Sequence, residues 1–154
     1  MTTSLRVSDV LSYIEPVTRD TPISKIAEKM KEEFTSLVPV VDEVGKLVGV
    51  IYAEDLLQPF IPTFFDLIED FDYISSFGAL DHEVFSDFTY KLFLAEDIMQ
   101  TRFRHLRPED SILKAIFYIV KERRTCLVVA DENMNYKGVV SRLSIIKRLY
   151  GNGQ

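Results

Sequence analysis

Two nine-residue phrases carry the polar side chains whose spacing suits ligand chemistry: GVIYAEDLL at 49–57 and GVVSRLSII at 138–146. A carboxylate at a helix opening can accept both hydroxyls of a sugar's vicinal diol through charge-assisted hydrogen bonds. A small hydroxyl one turn earlier, beside unpaired helix N–H groups, can hold a phosphate or sugar oxygen. The first phrase has the carboxylate, Asp55, but puts Tyr52 at the hydroxyl position. The second has the hydroxyl, Ser141, but Ser144 where the acid would stand. Each residue also has a plain structural reading. Asp55 suits the positive end of a helix dipole, Ser141 is a good N-cap, and the Tyr52 ring either stacks on a base or fills space.

Other candidate chemistry is sparse. TRFRHLR at 101–107 is the most basic stretch. If extended, it sends Arg102 and Arg104 to one side and Phe103 and His105 to the other. With Arg123 and Arg124 it reads either as a set of phosphate partners or as a solvated basic edge. His82 and His105 are far apart, and HxxxH and CxxC spacings are absent, so no transition-metal site is expected. The single cysteine, Cys126, opens an apolar run and reads as a core thiol. One cysteine rules out an internal disulfide framework and suits a reducing cytoplasm. There is no Gly-rich phosphate loop. Asp66, Glu69 and Asp70 read as a solvated helix face in preference to a Mg²⁺ site. With no nucleophile–base or metal constellation, the sequence does not read as an enzyme.

The elements that must position these residues come from an internal repeat. At an offset of 89, Ile23 meets Ile112, Lys25 meets Lys114, Val40 meets Val129, and Gly49-Val50 meets Gly138-Val139. Upstream the offset is 88, where SDVL (8–11) faces EDIM (96–99). In the first copy, apolar residues at 23, 26, 27, 30 and 34 have helical spacing, with Thr21 as N-cap and Pro22 at the first helical position. In the second, Ile112, Ala115, Ile116, Ile119 and Val120 share a face, capped by Asp110 or Ser111. LVPVVD (37–42) and CLVVAD (126–131) read as strands buried on both faces. Short loops lead to strands at 47–52 and 137–141, and short helices begin near Ala53 and Arg142. The order is short helix, short strand, helix, strand, strand, helix, twice.

The chain has 154 residues and a formal net charge of −6, which argues against general nucleic-acid binding. Residues 58–93 hold seven acids and one base, Lys91, so this segment carries the whole excess. It also holds eight of the eleven phenylalanines. Pro59 and Pro62 stop the preceding helix; 63–77 and 79–93 then read as amphipathic helices, with Gly78 after the first. The acidic polar face disfavours a membrane surface, and no apolar run is long enough to span a bilayer. No signal peptide is evident in MTTSLRVSDV.

LVPVVDEVGKLVGVIYAEDLL and CLVVADENMNYKGVVSRLSII, in this order, resemble a tandem pair of CBS domains, named after cystathionine β-synthase. The resemblance implies an α+β fold: two pseudo-twofold-related βαββα units packed through their sheets, here 1–57 and 94–154, with 58–93 inserted as an aromatic-rich helical segment. It implies two clefts between the units and frequent homodimers through the helices. Each cleft combines one copy's phrase with the lead-in and second-strand segments of the other. By that pattern the main cleft comprises Val50, Ile51, Tyr52, Asp55, Thr101, Arg102, Phe103, Arg104, His105, Arg124, Thr125, Cys126 and Leu127. The second comprises Tyr13, Ile14, Glu15, Pro16, Thr35, Ser36, Leu37, Val139, Ser141, Arg142 and Ser144. Glu15 near the second cleft is expected to weaken it for phosphates.

The expectation is thus a cytoplasmic regulatory module that needs no cofactor and binds AMP, ADP, ATP or S-adenosylmethionine. The alternative is a structural or dimerisation module whose insert 58–93 binds a protein partner.

Overall fold

The computed structural model describes residues 4–61, 78, 81 and 89–151. The expected helices of 63–77 and 79–93 therefore fall largely outside the described residues; Gly78, read as a residue after a helix, is itself helical.

The first unit contains α1 (Ile23–Glu33), β1 (Leu37–Val41) and β2 (Leu47–Tyr52), then a 3₁₀ turn at Ala53–Leu56. The second contains β3 (His105–Leu106), α3 (Ile112–Glu122), β4 (Cys126–Ala130), β5 (Tyr136–Ser141) and α4 (Arg142–Tyr150). A short helix α2 (Ala95–Ile98) precedes it, and a 3₁₀ turn at Val7–Val10 precedes the first unit. β1 and β2 pair antiparallel. The other sheet has the order β3-β4-β5, parallel then antiparallel.

Local chemistry explains the element ends. The Ser111 side chain accepts from the Leu113 N–H at 3.1 Å and so caps α3. In the first unit the cap position falls to Pro22, one residue later than expected, and Thr21 instead accepts from the Thr18 N–H at 3.2 Å. Both long helices end on a left-handed residue, Phe34 (φ 50°) and Arg123 (φ 53°). That conformation turns Phe34 away from the core and leaves it 96% exposed, so the apolar stripe of α1 is Ile23, Ile26 and Met30 alone. On α3 it is Ile112, Ala115 and Ile119, with Val120 exposed.

Three apolar clusters follow from strand alternation. Val38, Val40 and Ile51 face α1 (Ile26, Met30). Leu127, Val129 and Val140 face α3. The opposite faces, Leu37, Val50 and Tyr52 against Cys126, Val128 and Val139, meet between the sheets. Both middle strands are thus buried on two sides.

The lead-in strands differ between copies. His105 and Leu106 pair with Val128 and Val129, whereas the first unit makes the single bridge Val17–Val40. Pro39 stands where Val128 stands in the second unit and has no N–H to donate.

The repeat is also a symmetry. Lys46 bridges to Asn135, and the Ser36 and Thr125 hydroxyls hydrogen-bond, 89 residues apart. A residue can touch its own counterpart only on the axis that relates the copies. Lead-in segments cross that axis. Ser12 exchanges two backbone hydrogen bonds with Val139 (both 2.8 Å), as Gln100 does with Val50 (2.8 and 3.0 Å). Val7 and Val10 lie in the α3 cluster, and Ala95 lies in the α1 cluster.

Candidate ligand clefts

The two cleft regions are built from corresponding segments of the two copies, but the Ser141 phrase opens α4 where the Asp55 phrase opens a 3₁₀ turn, and the side chains differ. At the first, Asp55 sits in the 3₁₀ turn after β2. Its carboxylate accepts the Tyr52 N–H at 2.8 Å and the Gln100 side-chain amide at 3.0 and 3.2 Å. Tyr52 is 3% exposed, in the cluster between the sheets. The Arg124 guanidinium lies 3.9 Å above its ring and pairs with Glu54 at 3.2 Å. Burial pushes the Tyr52 phenol up to about 12, against the opposing pull of Arg124.

The basic segment takes other partners. Arg104 donates through Nε and Nη2 to one carboxylate oxygen of Glu122 on α3 (2.9 and 2.7 Å) and covers the Tyr118 ring at 4.0 Å. Thr101 and Arg102 are exposed. Phe103 packs on the inter-sheet cluster and meets His105 edge-on at 6.2 Å. Among the described residues, no hydrogen bond or ion pair joins Asp55 to Arg102, Arg104 or Arg124. Val50 and Cys126 face the inter-sheet cluster, while Ile51 and Leu127 face the helix of their own unit. Burial pushes the Cys126 thiol up to about 12, far from nucleophilic use.

At the second cleft an open cavity of about 370 Å³ lies between the units. Ser12, Ile14, Thr35, Ser36, Thr125, Cys126, Val139, Ser141 and Arg142 line it, with Glu33, Phe34 and Leu143. Ser141 caps α4: its hydroxyl accepts the Ser144 N–H at 3.1 Å, while the Ser144 hydroxyl accepts the Ser141 N–H at 3.2 Å. The Thr35 hydroxyl donates to the Leu37 carbonyl at 2.8 Å. Glu15 is exposed and does not line this cavity. The carboxylate that does, Glu33, pairs with Lys29 at 2.6 Å. Tyr13 lies against Tyr136 at 5.5 Å, and the Tyr136 hydroxyl donates to the Ile14 carbonyl at 2.6 Å. Pro16 is half-buried, and Leu37 is in the inter-sheet core.

Apolar walls, five hydroxyls, one arginine and a helix N-terminus suit a flat polar ligand with a single anionic or hydrogen-bonding tail. The cavity residues not foreseen here were Ser12, Glu33, Phe34 and Leu143, together with Thr125 and Cys126, which were expected at the Asp55 cleft and line this one instead. Ser12 was findable, since it precedes the first copy's lead-in as Gln100 precedes the second's. Among the described residues, no three or more His, Cys, Asp or Glu side chains group to hold a metal. No described helix is long and apolar enough to cross a membrane.

The same doubled phrases that build these clefts match the CBS domain family over residues 7–60 and 95–151. The chain belongs to the CBS-domain family. It is similar to the glycine betaine transport ATP-binding protein OpuAA of Bacillus subtilis (strain 168), 29% identical over 125 residues, which is 81% of this chain. The chain spans 23% of the length of that curated relative. Among solved CBS structures it resembles CBSX2 from Arabidopsis thaliana, solved with AMP: TM-score 0.71, 20% identity, 97% of this chain and 98% of that one. It also resembles the CBS domain pair of protein MJ0100, solved with 5′-methylthioadenosine and S-adenosyl-L-methionine. There the TM-score is 0.66 and the identity 21%, over 99% of this chain and 100% of that one. At these identities the likeness is one of fold: two CBS units joined through their sheets.

Proposed function

We propose that this CBS pair is a regulatory, non-catalytic module that binds one adenosine-containing small molecule in the cleft at Ser141. The observation that carries this reading is the cavity of about 370 Å³ between the units, with Ser141 and Arg142 at its helix-start edge. Its apolar walls accept a base; Thr35, Ser36 and Thr125 offer hydroxyls to a sugar. Ser141 and the first turn of α4 receive a phosphate or carboxylate. One arginine favours AMP or S-adenosylmethionine over the more highly charged ATP. The relatives solved with AMP and with S-adenosyl-L-methionine support this ligand class.

Thermal melts with AMP, ADP, ATP and S-adenosylmethionine test the proposal. The preferred ligand, at 100 times its dissociation constant, stabilises the fold by about 2.7 kcal/mol. Ser141→Tyr should abolish that gain. No shift with any of the four, or a shift that survives Ser141→Tyr, overturns this reading.

A second reading, a dimerisation module, is favoured by one feature. A groove of about 510 Å³ runs between α3 and α4, walled by Ile116, Ile119, Val120, Ile145, Ile146 and Leu149, with Arg123, Arg124 and Arg142 also lining it. A homodimer through these helices covers it. Light scattering should then give twice the chain mass for the wild type and a single chain for Val120→Lys/Leu149→Lys.

A further inference from the structure

The molecule contains its own control for the two clefts, because shifting by 89 residues maps one onto the other. Ser141, Leu143 and Thr35 all line the open cavity. Their counterparts are Tyr52, Glu54 and Arg124, and here Arg124 touches both of the others. The Tyr52 ring is 3% exposed, Arg124 is stacked 3.9 Å from its centroid, and Glu54 holds Arg124 from outside at 3.2 Å. At each of two equivalent positions a small hydroxyl residue is replaced by a large planar one. Where an apolar side chain stood, an acid now anchors the arginine. Asp55 is tied down as well, with Gln100 on both carboxylate oxygens, and the open cavity of about 350 Å³ that it does line, with Gln58, Pro59 and Asp97, includes neither Tyr52 nor Arg124.

We infer that Tyr52, clasped by Arg124 and Glu54, is a built-in stopper that fills the counterpart of the Ser141 cavity and limits the module to one ligand. This rests on the reading of the Ser141 cleft given above. The stopper fills the space a base would take, and the guanidinium takes the place of the ligand's other stacking face. A cation–π stack closed by a carboxylate holds the ring in place. Removing Tyr52 and Arg124 should therefore uncover a second base-and-sugar site, a weaker one, since the 3₁₀ turn Ala53–Leu56 stands where the Ser141 cleft has the N-terminus of α4.

Isothermal titration of the full chain with AMP counts the sites directly. The wild type should bind one AMP per chain, and Tyr52→Ser/Arg124→Thr, which copies the open cleft, should bind two. The reverse transplant, Ser141→Tyr/Thr35→Arg/Leu143→Glu, should lower affinity at least 100-fold, with an unchanged circular dichroism spectrum. One site in both wild type and opened variant overturns the stopper while leaving the Ser141 reading in place; two sites in the wild type overturn the stopper and the single-ligand count, but not binding at Ser141. No site in the wild type but one in the opened variant supports the stopper and overturns the Ser141 reading. No site in either overturns both. A misfolded opened variant is recognised by loss of the site that the wild type has. In that case Arg124→Thr alone, which frees the ring without emptying the core, must gain a weaker second site or the stopper fails.

Discussion

Tyr52 is the residue at which the two copies part most clearly, and its titration is measurable. An unfolded tyrosine ionises near 10, roughly; in the fold burial pushes it up to about 12. In that window the folded state keeps a proton that the unfolded state has lost. Stability from this group is therefore full below about pH 10 and is lost as the pH rises toward 12. The Cys126 thiol, also pushed up to about 12, acts in the same direction. Thermal melts between about pH 9 and 12 should show a steep fall in Tm for the wild type and a shallower one for Tyr52→Phe. Equal slopes would mean that the phenol is not held in a dry environment. A second pair of residues tests the crossing of the copies. Gly138 has φ +149°, and a β-carbon there would collide with the Ser12 carbonyl oxygen. Its counterpart Gly49 has an ordinary φ, and a β-carbon there would meet mainly the flexible end of Met99, 2.7 Å from its sulfur. Gly138→Ala should cost about 2–4 kcal/mol in denaturant unfolding and Gly49→Ala about 1 kcal/mol.

At the scale of elements, the sequence was most legible where periodicity is strong. The apolar spacing of α1 and α3 and the β-branched runs of β1 and β4 locate all four to within a residue or two. What it did not disclose depends on contacts made at a distance. Phe34 has helical spacing, but only the left-handed helix end decides that it faces water. Pro39 sits inside an apolar run that reads as a strand, yet its missing N–H reduces the neighbouring lead-in to one bridge. Asp55 and Arg124 were read as ligand groups, and no local pattern could reveal that Gln100 and Glu54 engage them. Nor did the repeat show that the lead-in turn Val7–Val10 packs with α3 in place of α1. Val7, fully buried there, gives the check. Val7→Ala should destabilise the fold by about 2 kcal/mol. Hydrogen exchange should quicken in α3 and β4, not only near the mutated turn.

For the molecule as a whole, exchanged lead-ins make the two units one cooperative body. Calorimetry should show a single transition, with van't Hoff and calorimetric enthalpies equal. Two resolved transitions would mean that each unit keeps its own core. The crossing also sets a schedule for the chain as it is made. The Ile14 carbonyl waits for the Tyr136 hydroxyl, 122 residues away. At about 5–20 residues per second, that is about 6–24 s of synthesis. The Val7–Val10 turn waits for α3, which ends at Glu122, whereas the first unit gains its own borrowed helix, α2, by Ile98. The 12–17 lead-in is therefore made long before its partner β5, and a chain that stalls short of β5 leaves Ile14 without the Tyr136 and Val139 that it packs on. Chaperones and proteases would meet such a stalled chain at this lead-in, not at its newest residues.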